Sequence, residues 1–183
     1  MGTHVCPWWF AYTFDNPLRS LIHRPSELFA PYVTRGMTVA DIGCGFGFFS
    51  LGLASLVTRT GKVIAVDIQQ KMLGKAQSRA QKAGFADIIT FRQCTASDII
   101  IGKPLDFALA FWMVHETPDK PTFFEQVRAT LKPEGLLLVA EPKFHVSAEE
   151  FLQETHAAQQ AGFKFTVDPG IRFSHAAVFM NPS

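Results

Sequence analysis

The sequence predicts an α/β protein, a parallel sheet between layers of helices with a ligand held at the carboxyl ends of its strands. Three observations carry this expectation. Residues 38–50, TVADIGCGFGFFS, pass from a short apolar strand through glycines at alternate positions into an apolar helix start. Residues 62–68 (KVIAVDI) and 105–112 (LDFALAFW) are near-continuous apolar runs, the pattern of strands buried on both faces. Segments with helical spacing lie between them, so strand and helix alternate as a parallel sheet requires.

At 183 residues and 48% hydrophobic content, the chain is long enough for one domain with a sizeable core. Residues 37–183 are expected to form that domain, with residues 1–36 as an extension that serves as lid or clamp. A net charge of +1 provides no basic field for nucleic acid. No apolar run reaches the ~18–20 residues of a membrane span. The start, MGTHVC, lacks a signal-peptide core and has Cys6 where a myristoylation signal has Ser or Thr. The expectation is a cytoplasmic protein, monomer or homodimer, with neither nucleic acid nor membrane as partner. Three scattered cysteines, Cys6, Cys44 and Cys94, argue against a disulfide framework.

Taken in order, the chain begins with a segment that crowds His4, Cys6, Trp8, Trp9, Phe10, Tyr12 and Phe14 around the helix-breaking Pro7. Pro25-Ser26-Glu27 opens a short helix that carries Leu28 and Phe29 and stops before Pro31. After the glycines, Phe48, Leu51, Leu53, Ala54, Leu56 and Val57 give a helix buried on more than one face. Met72, Leu73, Ala76 and Ala80 place a core face on a helix over 70–83, which Gly84 ends. Residues 88–93 read as a third strand and 94–98 as a loop. Residues 105–112 form the fourth, central strand, and Phe123, Phe124, Val127 and Leu131 the inner side of the next helix. Residues 131–135 (LKPEG) read as a turn before a fifth strand over 136–140. Ser147 and Glu150 form a capping box for a helix ending near Ala161. Two last strands follow, 164–167 and 175–179.

The glycine stretch sets the chemistry. Gly43, Gly45 and Gly47 give a turn without Cβ atoms, so a ligand can lie against backbone N–H groups. Asp67, twenty residues after Gly47, ends the second apolar run, where a carboxylate can accept from both hydroxyls of a ribose. A dinucleotide site needs GxGxxG, but the third glycine position here is the bulky Phe48. Asp41, two residues before the first glycine, would repel a pyrophosphate and suits a ligand with an ammonium group.

An acid followed by GxGxG, with a second acid at the next strand tip, resembles the class I S-adenosylmethionine-dependent methyltransferases. LKPEG before an apolar strand is a further resemblance, which in all covers residues 36–181. It implies a Rossmann-like three-layer αβα sandwich: a seven-stranded, mostly parallel sheet of order 3-2-1-4-5-7-6, closed by an antiparallel pair. It implies S-adenosyl-L-methionine as cofactor, with Asp41, Gly43, Gly45 and Gly47 at its methionine part and Asp67 at its ribose. Ile68, Thr95, Ala96 and Phe111 complete the implied cofactor set. The chain departs from the family at Thr95, where an acid often contacts the adenine amino group. Asp98 either replaces that acid or caps the turn before Ile99, the reading favoured here.

Candidate catalytic groups fall at strand ends. His115 leaves the central strand nearest the expected methyl group and is the first choice for a general base, with His145 second. Cys6, Trp8, Trp9 and Tyr12 from the extension, with Glu116 and Glu141, are the candidates for the pocket of a small-molecule methyl acceptor. Two alternatives stay open. One is methylation of a metalloid or thiol held by Cys6 and Cys94, with His4 beside them, although no metal-ligand spacing supports a metal. The other is a protein that binds the cofactor without transfer or activates a partner.

Overall fold

The computed structural model describes residues 22–99, 101–102 and 104–183. Its strands are β1 (Thr38–Ile42), β2 (Lys62–Asp67), β3 (Ile89–Gln93), β4 (Leu105–Phe111), β5 (Leu131–Pro142), β6 (Lys164–Val167) and β7 (Ser174–Met180). Its helices are α1 (Pro25–Phe29), α2 (Phe48–Val57), α3 (Gln70–Lys82), α4 (Lys120–Thr130) and α5 (Ala148–Gln160), with a 3-10 turn at Val114–Glu116. The strands form one sheet in the order β3-β2-β1-β4-β5-β7-β6. The first five run parallel, and β7 enters antiparallel between β5 and β6. This is the topology the sequence predicts.

Alternate residues of a strand face opposite sides of a sheet, and both sides of this one are apolar. Val39, Phe107 and Leu109 pack with Phe29, Phe49, Leu53 and Leu73 from α1, α2 and α3. Ala40, Ile42, Ala108 and Ala110 pack with Phe123, Phe124, Val127 and Ala158 from α4 and α5. Ala40 lies opposite Ile64 of β2 on one edge and Ala108 of β4 on the other. The strand order reverses between β1 and β4, so a crevice opens at their carboxyl ends. The glycine turn follows β1 and the 3-10 turn follows β4, so both lie at that end of the sheet.

One element differs from expectation. β5 is twelve residues long and already begins at Leu131, which pairs with Leu105 across a bulge before Phe107. The segment read as a turn is therefore the irregular start of the strand. Lys132 Nζ donates to Asp106 Oδ1 at 2.6 Å, and the Asn181 carboxamide donates to the Leu131 carbonyl at 3.0 Å. These tertiary bonds hold LKPEG against its neighbours. The capping box at α5 forms as the spacing predicts, Glu150 N–H donating to Ser147 Oγ and Ser147 N–H to Glu150 Oε2. No helix among the described residues is long and apolar enough to cross a membrane.

Phe29 is fully buried and meets Phe49 edge-on at 5.5 Å, anchoring α1 to α2. Truncating a buried aromatic leaves a cavity as well as lost transfer energy. Phe29→Ala is expected to lower the unfolding free energy by about 3–5 kcal/mol in urea titrations.

Candidate active site

The glycine turn is pinned to β2 before it reaches α2. Gly43 N–H and Cys44 N–H both donate to the Val66 carbonyl at 2.9 Å. Gly43 has φ 71°, and a Cβ there would fall 2.9 Å from Met113. Gly47 has φ 78° and lies against Ala76, 3.0 Å from where its Cβ would stand. Gly45 is different, because a Cβ added to it would meet nothing within 4 Å. Its exposed backbone faces open space, which is what a ligand cradle needs.

Asp67 closes one side of this cradle. It is only 7% exposed; its Oδ2 accepts from Gly45 N–H at 2.9 Å and its Oδ1 from Gln69 N–H at 2.8 Å. Burial pushes its carboxyl above the usual range, while the N–H groups of Gln69 and Gly45 pull the other way. A carboxylate offers about four acceptor positions, and the N–H groups of Gln69, Gly45 and Ile68 leave capacity for a ligand hydroxyl. Asp41 is 2% exposed and accepts a hydrogen bond from Ser50 Oγ in the first turn of α2. Ile68 is fixed from below, its carbonyl accepting from Gln93 Nε2 at 3.0 Å. Gln93 was not a sequence candidate, and no local pattern distinguishes it.

In the loop after β3, Thr95 Oγ1 accepts from Asp98 N–H at 3.1 Å. Ile99 N–H is taken by Gln126 Oε1 at 3.1 Å. Thr95 and Ala96 are exposed beside it. Cys94 follows β3, and burial together with the Asp67 charge pushes its thiol up to about 11. Cys44 is buried and raised for the same reasons. Both stay thiols at neutral pH, which disfavours them as soft ligands or nucleophiles. Among the described residues no cluster of three or more His, Cys, Asp or Glu is arranged to hold a metal. His4, Cys6, Trp8, Trp9 and Tyr12 lie outside the described residues.

The end of β4 leads to two groups of side chains. Phe111 is 5% exposed, in an aromatic cluster with Phe49 at 4.2 Å, His23 at 5.3 Å and Trp112 at 5.5 Å. Trp112 has φ 60°. Its N–H donates to the Ala140 carbonyl, and its indole Nε1–H to Ser174 Oγ at 2.9 Å. His23 Nε2–H donates to the Arg172 carbonyl at 3.1 Å, and Lys143 N–H to the Phe173 carbonyl at 3.0 Å. Phe144 covers Trp112 edge-on at 5.4 Å and is 75% exposed. Sequence reasoning missed His23, whose role depends wholly on distant partners.

The second group is built on Glu141. Expected to line an acceptor pocket, this residue is fully buried instead. Its Oε1 accepts from Val114 N–H at 2.7 Å, and its Oε2 pairs with His115 Nδ1. A buried carboxylate needs such donors, and the 3-10 turn after β4 supplies them. With Glu141 on Nδ1, the neutral ring carries its proton there and presents the Nε2 lone pair outward. Nε2 lies 3.9 Å from Glu116 Oε1. The exposed His145 ring packs at 4.9 Å from that of His115, with 66° between their planes. Burial pulls the His115 pKa down, but hydrogen bonding and charge from Glu141, with Glu116 and Glu154 adding, leave it raised above 6.5.

An acid–GxGxG turn, a second acid at the tip of β2 and this sheet order now stand together. Residues 33–168 match the family model described as a methyltransferase domain. The chain belongs to the class I S-adenosylmethionine-dependent methyltransferase family. Similar proteins include a demethylmenaquinone methyltransferase of Desulfitobacterium hafniense, 31% identical over 104 residues, covering 56% of this chain and 41% of that protein. A ubiquinone/menaquinone biosynthesis C-methyltransferase of Cellvibrio japonicus is 35% identical over 135 residues, covering 71% of this chain and 54% of that one. The chain thus spans about half the length of such relatives. A SAM-dependent methyltransferase from Aquifex aeolicus superposes with a TM-score of 0.84 at 23% identity, covering 96% of this chain and 99% of that one. At that identity the likeness concerns the fold.

The family's cofactor is S-adenosylmethionine, and the cradle fits it: Gly45 leaves room beside backbone N–H groups and Asp67 keeps acceptor positions for a diol. Losing a charged acceptor for two hydroxyls costs about 1.5–3 kcal/mol. Asp67→Asn is expected to weaken S-adenosylmethionine binding roughly 10- to 150-fold in calorimetric titrations.

Proposed function

We propose that this protein methylates a small-molecule acceptor through an O–H or N–H group, with His115 as general base. The carboxylate–imidazole pair of Glu141 and His115 at the carboxyl end of β4, two residues beyond Met113 on the glycine turn, carries this reading. Gly43, Gly45 and Gly47 hold the methionine part of the cofactor by their backbone, and Asp41 contributes negative charge for its ammonium group. Asp67 accepts from the ribose hydroxyls, while Ile68, Thr95, Ala96 and Phe111 border the adenosine. Bound there, S-adenosylmethionine supplies an electrophilic methyl group on a sulfonium.

The chain's own part is alignment and proton removal. Alignment of donor and acceptor is worth up to ~7–11 kcal/mol in well-oriented cases, and a positioned base adds about 10²- to 10⁴-fold. Glu141 fixes the imidazole tautomer, so that Nε2 receives the acceptor's proton. Glu141 also stabilises the imidazolium that results. His145, packed edge-on against the ring, restricts its orientation. Location in the cytoplasm belongs to the same proposal, supported by free thiols at Cys44 and Cys94.

His115→Ala is expected to lower kcat by about 10²- to 10⁴-fold, with S-adenosylmethionine affinity unchanged, in an assay with methyl-labelled cofactor. Undiminished kcat would sink the base assignment, and no transfer to any O–H or N–H acceptor would favour a cofactor-binding role. The pH profile follows from the raised His115 pKa. Only the neutral ring has a lone pair, so kcat/KM should rise with pH through a midpoint above 6.5 and level off beyond it. In Glu141→Gln the midpoint should move down, since the charge that holds the ring proton is gone.

A further inference from the structure

A cavity of about 400 Å³ lies between the start of α4 and the first half of α5, with His115, His145, Lys120, Gln153 and Glu154 among its lining residues. Glu154 is an unexpected side chain to find there. It projects from the middle of α5, yet it is only 2% exposed. Its Oε1 lies 3.7 Å from Lys120 Nζ, and its Oε2 has no hydrogen-bond partner among the described residues. A buried carboxylate oxygen without a donor is costly, and an α-helix has many cheaper residues for an inner position. His115, the base of the proposed reaction, lines the same cavity.

We propose that Glu154 is a positioning residue for His115: across this cavity its carboxyl and the His115–Glu141 pair hold protons as one coupled unit. This rests on the reading of His115 as the base, since it explains how that base retains its strength while partly buried. When His115 takes up a proton, the added positive charge favours loss of the proton on Glu154. The cluster's net charge then changes little in a region of low dielectric. Burial comes first in lifting the Glu154 carboxyl, followed by the Glu141 charge, and Lys120 and His115 pull it back to about 7. That value places its titration beside the one the base requires.

Charged and titratable groups face this unit from each neighbouring element. Glu141 comes from β5 and Glu116 from the 3-10 turn, and both favour a proton on His115. Lys120 comes from the first turn of α4, and His145 from the loop before α5. Glu150 of α5 also lines the cavity, but its Oε2 accepts from Ser147 N–H and Oγ in the capping box. Glu154 is thus the one acid of α5 at the cavity whose carboxylate is both buried and without a full set of donors.

The test is an NMR titration of the His115 ring, assigned by its loss in His115→Asn, in the parent protein and in Glu154→Gln. The expected result is a fall in the His115 midpoint of about half to one pH unit, roughly three- to ten-fold in proton affinity. The Glu154 carboxyl resonance of the parent should titrate over the same range as the ring, which needs no variant. Folding is followed by thermal melting. Because an acid with a raised pKa favours the folded state at low pH and loses that advantage as pH rises, Glu154→Gln should gain stability relative to the parent between about pH 4.5 and about pH 7. An unmoved His115 midpoint in folded Glu154→Gln, or a Glu154 carboxyl that titrates near 4.5, overturns the coupling. These readings need no acceptor and no turnover. A moved midpoint with full activity in His115→Ala would leave the coupling standing and remove the base assignment instead.

Discussion

A carboxylate with no surface in water must be matched by donors, and at Glu141 that constraint shapes the turn at the carboxyl end of β4. The residue sits near the carboxyl end of β5 with both oxygens engaged, one by a backbone N–H of the 3-10 turn and the other by the His115 ring. Replacing either donor would strand a charge in low dielectric, a far larger penalty than an exposed ion pair would suffer. The turn after β4 is therefore fixed by an electrostatic requirement as much as by packing. Met113, two residues earlier, stands against Gly43. One carboxylate thus sets the separation between the His115 ring and the glycine turn.

The cradle depends on a complementary constraint, the need for bare backbone. Gly43 and Gly47 are closed in by Met113 and Ala76, whereas Gly45 is open. The three glycines consequently do different work: the outer two allow close approach within the protein, and the middle one leaves room for a ligand. Asp67 joins these roles, since it accepts from Gly45 N–H and still has acceptor positions to offer. Its burial makes any unmet acceptor position more expensive, which favours a ligand with hydroxyls at that spot.

Local chemistry made most of this legible in the sequence. Alternate glycines, an acid at a strand tip and apolar runs are short-range patterns; they foretold the cradle and carried the family resemblance, which in turn implied the sheet order. What the sequence hid was long-range. His115 and Glu141 were both singled out, but 26 residues separate them, and nothing in either neighbourhood says that one is buried to hold the other. Gln126, from a helix packed alongside, takes the N–H at Ile99, a bond that nothing in the local sequence announces. The strand start at Leu131 was missed for a similar reason. Its Lys-Pro-Glu-Gly sequence is that of a turn, and only bonds from Asp106 and Asn181 turn it into the bulged beginning of β5. Phe111 entered through the cofactor set that the resemblance implies, although its setting among His23, Phe49 and Trp112 belongs to tertiary packing.

Residues 172–174 receive hydrogen bonds from three separate parts of the chain: the His23 ring, the backbone of Lys143 and the indole of Trp112. Shifting that short stretch would strain all three attachments together. The Trp112 indole, with the Phe144 ring against it, is therefore braced through the same three residues that fasten His23 and the loop after β5.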